Sequence, residues 1–367
     1  MTQKKQISLL LCTLLSVLTM GMWTSCDKYN SESVGSKFFP ANSVVRNFTH
    51  SVYVEFSQDD VRVWGAYTKE VEVAGEGTHL VLTNHSDSLA LIVYGYPALN
   101  DSAALTDCSI TIEGDHAYAL YLNKLNLCSQ KQPAIRSASL GICYLVLPKG
   151  SKNQLQSVQA PAVFEHNGEL IITGEGELSL SNLNSNLRLE SAPNSAAALL
   201  VRGGLRCQYN VKLAMSCPEG DAIRVSDGPI RSSLGSWNLI AGQHAISNTN
   251  DSIVLIAGEY SGIAHNGKFF DNRIGAVIRQ AKVEGLSGMA SDLLDTLTLH
   301  QHYDSTYVAL QQHFEDISLK ADSLINISVK GSSSSIAKFT PRYQMQSPWV
   351  VIANSSLQET DTLTISL

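Results

Sequence analysis

The sequence predicts an all-β solenoid closed by a C-terminal β cap, and three observations carry that prediction. Short alternating segments are bounded by Gly, Asn or Asp, sustained helical periodicity is nearly absent, and a small–apolar–polar motif recurs at coil-like spacing. Among the alternating segments are Val61-Arg62-Val63-Trp64, Val71-Glu72-Val73, Leu80-Val81-Leu82, Leu89 to Val93 and Ser109 to Ile112. Only 16% of the 367 residues are charged, which suits many short strands joined by tight turns. Thr306 to Leu324 has some helical spacing, interrupted by Asp and Ser, and is left open.

The motif reads Pro133-Ala134-Ile135-Arg136, Pro161-Ala162-Val163-Phe164, Ala197-Ala198-Leu199-Leu200, Asp221-Ala222-Ile223-Arg224, His244-Ala245-Ile246-Ser247 and Ser261-Gly262-Ile263-Ala264. Its steps are 28, 36, 24, 23 and 17 residues. One coil cannot bury its inward side chains alone, whereas stacked coils place them in continuous ladders about 4.8 Å apart. The small residue lets the chain bend beside an inward Ile, Val or Leu. A β-sandwich explains the short strands equally well but not the spaced motif. After Gly288 the motif stops, and Leu324 to Val329, Trp349 to Ala353 and Asp361 to Ile365 read as longer strands of a cap that covers the last open edge.

The N-terminus has its own signature. Lys4 and Lys5 precede an apolar run, Ile7 to Met20, too short to span a bilayer, and Trp23-Thr24-Ser25-Cys26 follows. Small residues before a cysteine suit the lipoprotein signal peptidase, so Cys26 is the expected lipidated N-terminus of the mature chain. The expected organisation is a signal peptide over 1–25, a lipidated tether over 26–50, the solenoid over 51–287 and the cap over 288–367. The expected location is the envelope of a gram-negative bacterium, anchored in the outer membrane and facing the periplasm or the surface. Loss of Lys4 and Lys5 takes the net charge from −7 to −9, which argues against nucleic acid as a partner.

Of seven cysteines, Cys108, Cys128, Cys143, Cys207 and Cys217 remain beyond Cys12 and Cys26. Five cannot all pair with one another, and no zinc-like spacing occurs. Buried, stacked thiols are the expectation, with one disulfide between Cys207 and Cys217 as the alternative.

In order over residues 55–365, the chain resembles a family of right-handed parallel β-helix proteins described as carbohydrate-binding domains, related in fold to pectate lyases. The resemblance rests on Gly77-Thr78-His79-Leu80, on Leu122-Asn123-Lys124-Leu125, and on Pro133-Ala134-Ile135. It continues through Leu147-Pro148-Lys149-Gly150-Ser151-Lys152-Asn153-Gln154-Leu155, Asp221-Ala222-Ile223-Arg224 and the closing Asn354-Ser355-Ser356-Leu357. It implies a right-handed parallel β-helix that binds polysaccharide without catalysis, some relatives recognising cellulose or pectic polymers and holding calcium between coils. Here only Asp221 keeps the repeated carboxylate, against the six to eight oxygens calcium takes. No cofactor is therefore expected, with Asp221 the single candidate metal ligand.

Catalytic patterns are sparse. Asp221, Asp227, Arg224 and Arg231 suggest a lyase-like site, but strand alternation would put Asp221 and Arg224 on opposite sides. Asp59-Asp60 lies in a turn, and His244 has no acid pair beside it. Sugars stack on exposed aromatic faces, so Trp64, Tyr94, Tyr96, Tyr118, Tyr121, Tyr209, Trp237 and Tyr260 are candidates. Trp237, between Ser236 and Asn238, is the first choice for a surface position, and Tyr94 and Tyr96 would share one strand face. Tyr118 and Tyr121 fall on opposite faces. The function expected is polysaccharide binding, with an adhesive or structural solenoid and a degenerate lyase or hydrolase as alternatives.

Overall fold

The structure is a computed structural model that describes residues 48–57, 60–95, 105–184, 196–272, 276–288, 294–299, 306–311, 326–330, 349–354 and 362–366. Within them the chain winds through about seven stacked parallel turns of a β-solenoid. Each turn contributes one strand to each of three stacks. Cys143–Leu147, Lys152–Ser157 and Ala162–His166 form one turn, and Leu170–Gly174, Glu177–Asn182 and Ala197–Val201 form the next.

The register explains why these residues make coils. In the first stack Leu91, Leu120, Leu145, Ile172, Cys207, Ser232, Leu255 and Ile278 form one inward ladder. In the second stack Leu127, Leu155, Leu180, Met215 and Leu239 do the same. In the third the rungs are Ile110, Ile135, Phe164, Leu199, Ile223, Ile246 and Phe270. All but Ser232 belong to one continuous apolar core, which no single coil could build.

The small–apolar–polar motif is the entry corner of the third stack. Ala134 and Ile135 both face the core, as do Ala222 with Ile223 and Ala245 with Ile246. The chain bends at the small residue, so two consecutive side chains point inward and the next points out. Two copies differ from the sequence assignment. Phe164, not Val163, is the rung opposite Ile135. Ser261-Gly262-Ile263-Ala264 lies in the second stack, and the next third-stack rung after Ile246 is Phe270, 24 residues on.

Corners bury backbone polar groups, which need partners. Asn153 supplies them at one corner: its Oδ1 accepts the Leu125 N–H at 3.0 Å and its Nδ2 donates to the Glu177 carbonyl at 3.2 Å.

Both ends of the solenoid turn antiparallel. Val61–Trp64 lies on His50–Phe56, and Val71–Glu76 lies on His79–Asn84, which gives an N-terminal closure the sequence reading does not contain. At the other end Leu294–Leu299 and Thr306–Gln311 both pair with Ala276–Gly288, and Trp349–Asn354 extends the sheet. Asn326–Lys330 and Thr362–Ser366 form a separate two-stranded sheet. The first part of the open segment 306–324 is thus a strand, and the rest of it lies outside the described residues.

The five cysteines are buried and free, so Cys207 and Cys217 do not pair. Cys207 ends Leu205–Cys207 in the first stack and Cys217 ends Val211–Cys217 in the second, a whole strand length apart. Burial pushes the Cys143 and Cys217 thiols up to about 12, so both stay protonated and inert.

Candidate glycan-binding edge

The sequence candidates separate sharply. Cys26 and Tyr96 lie outside the described residues. Trp237, the expected surface aromatic, is 1% exposed and belongs to the core. It occupies an inward rung between Leu213 and Tyr260 and meets the Tyr260 ring edge-on at 5.0 Å. Ser236 and Asn238 are polar because they face outward on an alternating strand, not because the segment is a turn. Gly235 is required here, since a Cβ would sit 2.8 Å from the Trp237 Nε1. Tyr118 and Tyr260 are core residues too, and Tyr121 is buried on the outer side of the first stack.

Asp221 is also not what the metal expectation requires. Its carboxylate is fully buried, with Oδ2 accepting from Arg224 Nε at 2.7 Å and Oδ1 accepting from the His244 backbone N–H at 2.9 Å. Arg224 stands where a cation would, and each carboxylate oxygen already accepts one hydrogen bond. The bend at Ala222 brings Asp221 and Arg224 to one side, contrary to simple alternation. Burial raises the Asp221 carboxyl, and Arg224 and His244 oppose that rise. Among the described residues no three His, Cys, Asp or Glu side chains gather closely enough to hold a metal. Arg231 lies on the first stack beside Arg206, away from this pair. His244 is tied into the coil, its Nδ1 accepting the Lys268 N–H at 2.9 Å.

Trp64 and Tyr94 come together at the N-terminal edge of the first stack. Val61 and Val63 pack toward the core, so alternation turns Arg62 and Trp64 outward. Trp64 is 43% exposed, and its inner face lies on the Tyr53 ring at 4.3 Å with the planes 14° apart. The indole is thereby held at a fixed tilt while 43% of the residue stays exposed, an aromatic surface fixed in place. Gly65 follows it with φ +136° and passes so near the neighbouring strand that a Cβ would lie 2.8 Å from the Ser51 carbonyl. A larger residue there would push Trp64 off Tyr53.

Beside the platform runs a second outward row. Arg62 opposes Glu55, Glu55 opposes Tyr94, and Tyr94 opposes Asn123, each step about 4.8 Å. Arg62 and Asn123 are exposed, while Glu55 and Tyr94 are half-buried. The edge therefore presents one aromatic face, a guanidinium, a carboxylate, a phenol and an amide. That set combines one face for stacking with groups that donate and accept hydrogen bonds. Glu55, Arg62 and Asn123 escape aromatic-led reading, although the Val-x-Val-x pattern of 61–64 already assigns Arg62 and Trp64 to the same side.

No family model matches the chain. No curated protein matches it either. Among solved structures, the polysaccharide lyase-like protein from C. thermocellum, a gadolinium derivative, is similar at a TM-score of 0.42 and 14% identity, over 66% of this chain and 98% of that one. The solenoid described above rests on its own strand register.

Proposed function

We propose that the chain is a lipid-anchored protein of the bacterial cell envelope that holds a polysaccharide without cleaving it, with Trp64 as the stacking platform. The observation that carries this reading is the Trp64–Tyr53 pair, one indole face locked while the residue stays 43% exposed, flanked by Arg62, Glu55, Tyr94 and Asn123. The Cys26 signal supports an anchor in the outer membrane, and the acidic mature chain agrees with a partner other than nucleic acid. No cofactor is part of the proposal.

Affinity gel electrophoresis of residues 27–367 across soluble polysaccharides tests the binding role, with product release followed in parallel. The expected result is retention on at least one polymer with no new reducing ends or unsaturated sugars. Trp64→Ala should weaken retention about 10- to 30-fold, roughly 1.4–2 kcal/mol, and Trp64→Phe should restore part of it. Retention that ignores Trp64, or product release, overturns the proposal. The anchor is tested separately: Cys26→Ala should move the protein from the membrane to the soluble fraction.

A further inference from the structure

The outer faces of the three stacks differ in what they can receive. On the first stack the outward Ala119, Tyr121, Tyr144, Val146 and Ile171 are all buried. On the third, Ala162, Ala197 and Leu200 form a small buried cluster. The second stack is different. Its outward side chains are largely accessible, many of them polar, and they stay in register along the solenoid.

One row runs Gln154, Ser179, Ala214, Asn238, Ser261, one residue per coil. Each is exposed or half-exposed. Consecutive members are about 4.8 Å apart, so the row offers amide and hydroxyl groups at nearly the rise of one sugar in an extended chain. Beside its C-terminal half lies an aliphatic stripe, Ile240, Ile263 and Leu286, with Ile240 41% exposed. A sugar ring has apolar C–H faces and polar edges, and this pairing of stripe and row matches both. On the other flank Lys152, Glu177, Lys212, Glu259 and Lys282 alternate in sign, and Lys282 pairs with Glu284 at the end of the row, so three cations meet three anions: Glu177 lies 3.9 Å from Lys152 and 3.1 Å from Lys212, and Lys282 lies 3.0 Å from Glu284. A flank of paired charges creates little field and gives no advantage to a charged polymer.

We infer that the outer face of the second stack is a second, polymer-length binding surface, on which an uncharged, extended polysaccharide lies parallel to the solenoid axis. The inference rests on the reading that the ligand is a polysaccharide, and it lies on a different stack from Trp64. The two surfaces divide the work: the Trp64 platform grips a few sugars, and the second-stack face adds contacts in proportion to chain length.

The test measures binding of the full mature chain to neutral polymers, xyloglucan, mannan and mixed-linkage β-glucan, and to their hexasaccharides. The key variant is Ala214→Arg, which plants a long side chain mid-row at an exposed position, with Ala214→Ser as control. Matching melting temperatures confirm that both variants fold. Ala214→Arg should lose at least ten-fold in polymer retention while hexasaccharide binding at Trp64 is unchanged, and Ala214→Ser should behave as wild type. Wild-type retention by Ala214→Arg overturns the inference, and if Trp64→Ala still weakens binding the polysaccharide reading stands alone. Retention only on polygalacturonate overturns the uncharged occupant. A wild-type dimer that Ala214→Arg converts to monomer assigns the face to a second copy instead. A wild-type chain that binds no polysaccharide overturns both readings.

Discussion

Trp64 and Trp237 sit in strands of the same alternating kind, yet one is a platform at the edge of the solenoid and the other fills its interior. Polarity of immediate neighbours does not distinguish them. Trp64 follows Arg62 and two core-facing valines, whereas Trp237 shares its parity with the core residue Leu239 and is merely flanked by polar residues. What decides is the parity of the indole relative to the buried rungs. In a strand of period two, a polar neighbour on each side is the mark of an inward residue as often as of a turn.

The largest way to break this contrast is to truncate both rings. Trp237→Ala empties an interior site beside Tyr260 and should cost about 3–5 kcal/mol in chemical denaturation. Trp64→Ala should cost less than about 1 kcal/mol while weakening glycan retention as given above. Comparable losses of stability would erase the distinction between platform and core.

His166 sharpens the comparison, because it is a fully buried histidine on an inner ladder between Ser137 and Val201. Its Nε2–H donates to the Glu169 carbonyl at 3.1 Å, and burial lowers its pKa to about 4. The unfolded chain protonates it near pH 6.5, so it contributes no pH dependence above that value. Between about pH 6.5 and 4 the unfolded state takes the proton first and stability falls, by about 3 kcal/mol in all. Denaturation of wild type against His166→Gln at pH 7, 5.5 and 4 should show the gap between them changing by that amount. A constant gap would mean that this rung is wet.

A smaller effect is expected at Asp221, which is turned outward yet covered. Asp221→Asn keeps the shape, leaves Arg224 without its carboxylate, and should cost about 1–3 kcal/mol. Calcium or a chelator should leave the melting temperature of wild type unchanged. A calcium-dependent rise lost in Asp221→Asn would make Asp221 a metal ligand.

The solenoid was legible because its signal is repeated. Ala134-Ile135, Ala222-Ile223 and Ala245-Ile246 state the same corner three times, and inner ladders need only be apolar to be read. The motif fails where one coil departs from it: Lys268-Phe269-Phe270-Asp271 carries Phe269 where its neighbours carry Ala, and Gly262-Ile263 matches the pattern better while lying in another stack. The candidate edge was harder to see. Its row of Arg62, Glu55, Tyr94 and Asn123 draws on four strands, and pairing between them is set by the antiparallel fold-back at the N-terminus. Sequence order puts Asn123 far from Arg62, and only register places them in one row. Asp221 and Arg224 were assigned to opposite sides because alternation does not foresee the bend at Ala222.

Ala276–Gly288 accepts two antiparallel partners along its length, Thr306–Gln311 on residues 276–278 and Leu294–Leu299 on residues 283–288. This has a consequence for how the protein is made. Synthesis proceeds from the N-terminus, so the coils before residue 276 exist for a time with an exposed growing edge able to pair with any passing strand. The two segments that close it follow the last coil in the chain, and neither closes both stacks alone. A chain whose coils have formed before residues 294–311 are in place is therefore at the stage most exposed to misassembly.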